Sequence, residues 1–140
     1  MTAKRSAKAR KFVLRLGTPE IRDLFDAWRV GRQANTLRGK TSDLADRVGQ
    51  TLQHLLANPF HPGLESHDID DLSKRYGRKV FQSYVDNNSE HAWRLFWVYG
   101  PDQGEITWIG LEPHPEDEKK GAYATVRLSQ MAPRKKRSGG

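Results

Sequence analysis

Two apolar runs joined by a short polar turn constrain this chain more than any other feature. "AWRLFWVYG" (Ala92 to Gly100) leads through "GPDQG" into "EITWIGLEP". Runs rich in aromatic and β-branched residues, separated by Gly and Pro, predict a β-hairpin. "RKVFQSYVD", followed by the polar stretch "NNSEH", predicts a third strand before them. Strands joined by short turns must run antiparallel, so these three form a meander. In the middle strand Trp93, Leu95, Trp97 and Tyr99 alternate with Arg94, Phe96 and Val98, and the two sets fall on opposite faces. One permanent cation therefore lies within a strand otherwise committed to burial.

Ahead of the meander, "KFVLRL" predicts a short first strand and "GTPEIRDLFDAW" a helix. Thr18 is placed as N-cap, Pro19 at the first helical position and Glu20 in the first turn. Ile21, Leu24, Phe25 and Trp28 form one apolar stripe, and the helix is expected to stop near Asn35. A second helix is expected from Ser42, with Leu44, Val48, Leu52, Leu55 and Leu56 on one face, ending at Asn58-Pro59. "FHPGLESHDIDDLSKRYG" is rich in acids and turn residues and reads as a long loop. The expected fold is α+β in the order β-α-α-β-β-β, with two N-terminal helices on one face of an antiparallel sheet. Two helices can cover only one face, so the other is expected to stay partly open.

The chain is basic only at its ends. Lys4, Arg5, Lys8, Arg10 and Lys11 precede the first strand, and Arg134, Lys135, Lys136 and Arg137 follow the last. Of 24 Lys and Arg, that leaves 15 between residues 12 and 133 against 17 Asp and Glu, a net charge of −2. A single domain over 12–130 is therefore expected between basic tails at 1–11 and 131–140, the tails suited to a polyanion. With no cysteine, disulfides and cysteine-based zinc sites or nucleophiles are excluded. No apolar run approaches the ~18 residues of a membrane span, and no signal-peptide core is present, so a soluble, cytoplasmic protein is expected.

Arg94 is the first candidate for chemistry, because a planar, always charged fork suits a phosphate. On the uncovered face its guanidinium would reach solvent or an anion; the alternative is an ion pair with Asp68 or Asp70. Tyr84 lies on the strand before it, Glu112 and His114 on the strand after, and the acidic loop adds His61 and His67. Histidine exchanges protons near neutrality, so a cluster of His, Arg and Tyr suits acid–base work on a phosphodiester. For His61, beside Pro62 and Gly63, a hydrogen bond that pins the loop is the equal alternative. For His114 the alternative is a cap on a Pro-flanked turn. His54 and His91 read as plain surface residues. His61, His67, His114 and Glu112 follow no recognised ligand spacing, so neither metal nor cofactor is expected.

"WRLFWVYG", "ITWIGLEPHP…AY" and the order of elements resemble the RelE/ParE toxin superfamily, in particular a branch carrying "HPGL.SH" before the sheet. The resemblance spans roughly residues 12 to 128, with its motifs at 61–67, 80–99 and 106–123. It implies a type II toxin, a ribosome-dependent mRNA endoribonuclease neutralised by a cognate antitoxin whose segment wraps the sheet and helices. Arg94 matches the strand arginine that holds the scissile phosphate, and His114 the position of the general acid. Tyr123 resembles a C-terminal tyrosine used near the attacking 2′-hydroxyl. His61 and His67 belong to the branch motif. The paired lysines of typical members are absent, and Gln82, Ser83 and Tyr84 stand there instead. The implied reaction is attack of an RNA 2′-hydroxyl on its own 3′-phosphate. His67, Tyr84 or Tyr123 would be the base, Arg94 would stabilise phosphoryl charge, and His114 would protonate the leaving 5′-oxygen. Two other functions fit the same residues: a ParE-like inhibitor of a DNA topoisomerase, and an inactive nucleic-acid-binding relative.

Overall fold

Strand β1 (Val13–Leu16) precedes helices α1 (Pro19–Ala34) and α2 (Gly39–Ala57) in a computed structural model that describes residues 11–85 and 93–113. A 3₁₀ turn (Pro62–Leu64), strand β2 (His67–Asp68) and helix α3 (Asp70–Tyr76) come next. Strands β3 (Phe81–Tyr84), β4 (Trp93–Tyr99) and β5 (Glu105–Pro113) complete the sheet, whose order is β1-β5-β4-β3-β2. No helix among the described residues is long and apolar enough to cross a membrane.

The two long helices form where the apolar stripes place them. Thr18 accepts a hydrogen bond from the Ile21 amide at 3.4 Å and Pro19 opens α1, satisfying one of the orphan donors of the first turn. Asn35 closes α1 in the left-handed region at φ 64°. Helix α2 begins at Gly39, ahead of the expected Ser42. The Arg38 carbonyl already accepts from the Ser42 amide, so the first turn closes without a side-chain cap.

The α+β class and the antiparallel β3-β4-β5 meander match expectation, but the sheet is mixed rather than antiparallel. β1 pairs with β5 in parallel, Val13 opposite Glu105 and Leu16 opposite Trp108. Short turns dictate the direction of neighbouring strands, and no such turn joins β1 to β5. The expected long loop is a second correction, since it contains β2 and α3. Seven residues are too few to show a helical period in the sequence. The segment is helical here because Ile69, Leu72 and Tyr76 pack on the sheet.

That packing divides the interior in two. On one face, Ile21, Val48, Leu52 and Leu55 of the long helices meet Phe81, Leu95, Trp97, Ile106 and Trp108. On the other, Ile69 and Leu72 meet Val80, Phe96, Val98 and Ile109. Large side chains buried this way each contribute roughly 1.5–3 kcal/mol. A bulge sets the division in β5: Phe96 pairs with Gly110 and Trp97 with Trp108, so Ile109 is the extra residue. Beyond it the facing is reset, so that Leu111 returns to the helix-covered core and Glu112 falls opposite Arg94, while Ile109 fills the second core. The second face is therefore not open along its whole length.

Candidate functional site

A row of three residues crosses the second face where the meander's central strand begins. Tyr84 of β3 is opposite Arg94 of β4, and Arg94 is opposite Glu112 of β5. Cross-strand partners project from the same face, so ring, guanidinium and carboxylate stand side by side. Arg94 Cζ lies 3.7 Å from the Tyr84 ring centroid, a cation–π stack. Its Nη1 also donates to the Trp93 carbonyl at 3.2 Å.

The expectation that Arg94 reaches solvent is corrected: it is only 5% exposed. It lies on the anticipated face, but stacking on Tyr84 folds the guanidinium over the sheet. A cation held this way is oriented in advance, and an anion can meet it only if the side chain lifts.

The next row along the same face is His67–Gln82–Phe96. His67 is exposed on the edge strand, two strands from β4, or about 10 Å across the sheet. Its Nδ1 is 3.0 Å from the Glu65 carbonyl oxygen, which can only accept, so Nδ1 is the donor in this bond. His67 is thus not adjacent to Arg94.

His61 does not join the row. It caps the 3₁₀ turn, its Nδ1 accepting from the Gly63 amide at 3.1 Å, and its ring lies tilted against that of His54 of α2, 4.5 Å between centroids. The turn's Leu64 belongs to the helix-covered core, which puts His61 with the opposite side of the sheet. The loop-pinning role is the one observed. His54 is exposed, as expected, but is a ring partner rather than a plain surface residue. His114, Tyr123 and His91 lie outside the described residues. Among the described residues, no group of three or more His, Cys, Asp and Glu is placed to hold a metal ion.

A polar relay that no motif announces ties the "HPGL.SH" segment to the core. Trp97 Nε1 donates to Ser83 Oγ at 2.8 Å, and Ser83 Oγ is 2.7 Å from Ser66 Oγ. Ser66 Oγ donates to the Pro59 carbonyl at 2.7 Å, so its single proton is committed and Ser83 must donate to Ser66. Every link is thus oriented. Serines paired across 17 residues leave no periodic signal, and only the fold brings them together. No protein-family model, curated protein or solved structure matches this chain.

Proposed function

We propose that this chain is a RelE-type toxin, an endoribonuclease that cuts mRNA on the ribosome and is held inactive by a cognate antitoxin. The observation that carries the reading is the Tyr84–Arg94–Glu112 row, because it puts one guanidinium between a hydroxyl-bearing ring and a carboxylate on the central strand. The resemblance of residues 61–67, 80–99 and 106–123 and the two helices ahead of an antiparallel β3-β4-β5 meander support it.

In the proposed reaction the RNA phosphate draws Arg94 off Tyr84, and the guanidinium then takes the charge that builds on the phosphoryl oxygens. Glu112 is the base nearest to Arg94 and accepts the 2′-hydroxyl proton. His67, two strands away, is left to contact a neighbouring nucleotide. His114, the residue after β5 ends at Pro113, donates to the leaving 5′-oxygen.

The test maps 5′ ends on message carried by translating ribosomes. Discrete cuts that disappear in His114→Ala, and fall ~10²–10³-fold in Arg94→Lys, are expected. Lysine keeps the charge and loses the fork, which limits any folding defect at so buried a position. Uncut message with wild-type protein would overturn the reading. The burial of Arg94 favours one second reading, a ParE-like topoisomerase inhibitor that needs no phosphate at this arginine. Supercoiling defects with intact message would select it.

A further inference from the structure

A slot between the two long helices stands apart from the Arg94 row. Residues 35–38 join α1 to α2, and Arg32 of α1 reaches Asp46 of α2 at 2.8 Å, which fixes where the helices lie side by side. Each helix borders the slot with a single stripe at i, i+3, i+4 and i+7 spacing, from Phe25 to Arg32 on α1 and from Ala45 to Leu52 on α2. The cavity between them is about 380 Å³, within the range of small-molecule sites.

The slot is polarised along its length. Its floor is core: Val48 and Leu52 are buried, and Phe25 meets the buried Trp108 edge-on, ring centroids 6.4 Å apart. Arg32 stands two turns further along α1 than Phe25, about 10 Å away. Arg29, between them, contacts Asp26 at 3.4 Å. Both ion pairs are about half exposed, so each is weak, and either guanidinium can turn to another anion at little cost.

Gly49 lines the middle of the slot. It sits inside α2, where glycine is the poorest helix former after proline. Among the described residues a Cβ there would meet nothing within 4 Å, so packing does not call for glycine. Gly31 of α1 differs, since its Cβ would come within 3.1 Å of Leu37. The bare backbone at Gly49 leaves the slot open where a side chain would enter it.

We propose that this slot binds a medium-chain carboxylate, its hydrocarbon chain laid past Gly49 toward Phe25 and Leu52, and its carboxylate held by Arg32. The elongated shape selects a straight chain, the apolar floor a hydrocarbon, and the guanidinium an anion. The two helices cover the sheet face opposite Arg94, so the site stands or falls independently of the nuclease reading.

The experiment titrates the full chain with sodium decanoate, below its micelle concentration, by isothermal calorimetry. Octanoate, two methylenes shorter, is expected to bind at least ~4-fold less tightly. Arg32→Gln should weaken decanoate binding about fivefold, and Asp46→Asn, which removes the competing carboxylate, should tighten it. Gly49→Leu fills the slot and should abolish binding while the melting temperature holds or rises, since leucine is the better helix former. Wild-type protein that takes up no decanoate would overturn the proposal, as would undiminished binding in Gly49→Leu. Equal affinity in Arg32→Gln and Asp46→Asn would overturn it whether or not Gly49→Leu folds. A chain that is dimeric by sedimentation, and monomeric in the Gly49→Leu variant, would overturn it in favour of a second copy in the slot.

Discussion

The two faces of the sheet are built from the same three strands yet serve different ends. The face under α1 and α2 is apolar and aromatic, with Leu95, Trp97, Ile106 and Trp108 fully buried. Its polar atoms, Trp97 Nε1 and the serine hydroxyls, are consumed in a directed relay. The face under α3 starts as a small core around Phe96 and Val98, then gives way to Tyr84, Arg94 and Glu112. Two helices of 16 and 19 residues cover most of one face, leaving Tyr99 partly exposed at its end, while one of seven covers less of the other. Tyr84 and Glu112 stay half-buried where the cover ends, and the buried Arg94 is held against the Tyr84 ring, since a buried charge without partners is costly. The larger apolar core and the ionisable row thus lie on opposite sides of one sheet.

Four substitutions can break or sharpen this division. The largest effect is expected from Trp97→Ala, which opens a cavity in the helix-covered core and cuts the relay. It should cost about 3–5 kcal/mol of unfolding free energy by denaturant titration. Leu72→Ala removes the anchor of α3, which can resettle because it is short. A loss of about 2 kcal/mol is expected, near the low end for a buried leucine. If both cost the same, the two cores are equals and the asymmetry argued above is wrong. Ser83→Ala leaves the Trp97 N–H without its acceptor and should cost about 1–3 kcal/mol, with looser hydrogen-exchange protection across 59–66.

The smallest effect concerns pH. Partial burial raises the Tyr99 phenol above its ordinary 10.0. Below pH 10.0 both folded and unfolded chains hold the proton, and the phenol contributes no pH dependence. Above it the unfolded chain ionises first, so stability should fall as pH climbs through the raised folded value. Melting temperature followed at alkaline pH should show a shallower decline in Tyr99→Phe. An unchanged slope would place the alkaline sensitivity elsewhere.

Much of the architecture was legible because it is periodic. Ile21, Leu24, Phe25 and Trp28 announced α1, and the alternation from Trp93 to Tyr99 announced β4 and sorted its residues by face. The site was legible only in part. Placing Arg94, Tyr84 and Glu112 together needs strand order, which the hairpin turns supply, and register, which the bulge in β5 decides: the register set at Tyr99–Ile106 would otherwise put Leu111 opposite Arg94. His61 and His67 belong to one short motif, yet the chain turns between them and sends them to different sides of the sheet. Their separation follows from Leu64 packing into one core and Ile69 into the other.

By itself, the sequence determined the class, the two long helices and the antiparallel meander, since each is set by local pattern, capping and turn chemistry. Tertiary structure alone decided the parallel pairing of β1, the helicity of residues 70–76 and the burial of Arg94. These depend on contacts between segments far apart in the chain, whose energies no local pattern encodes.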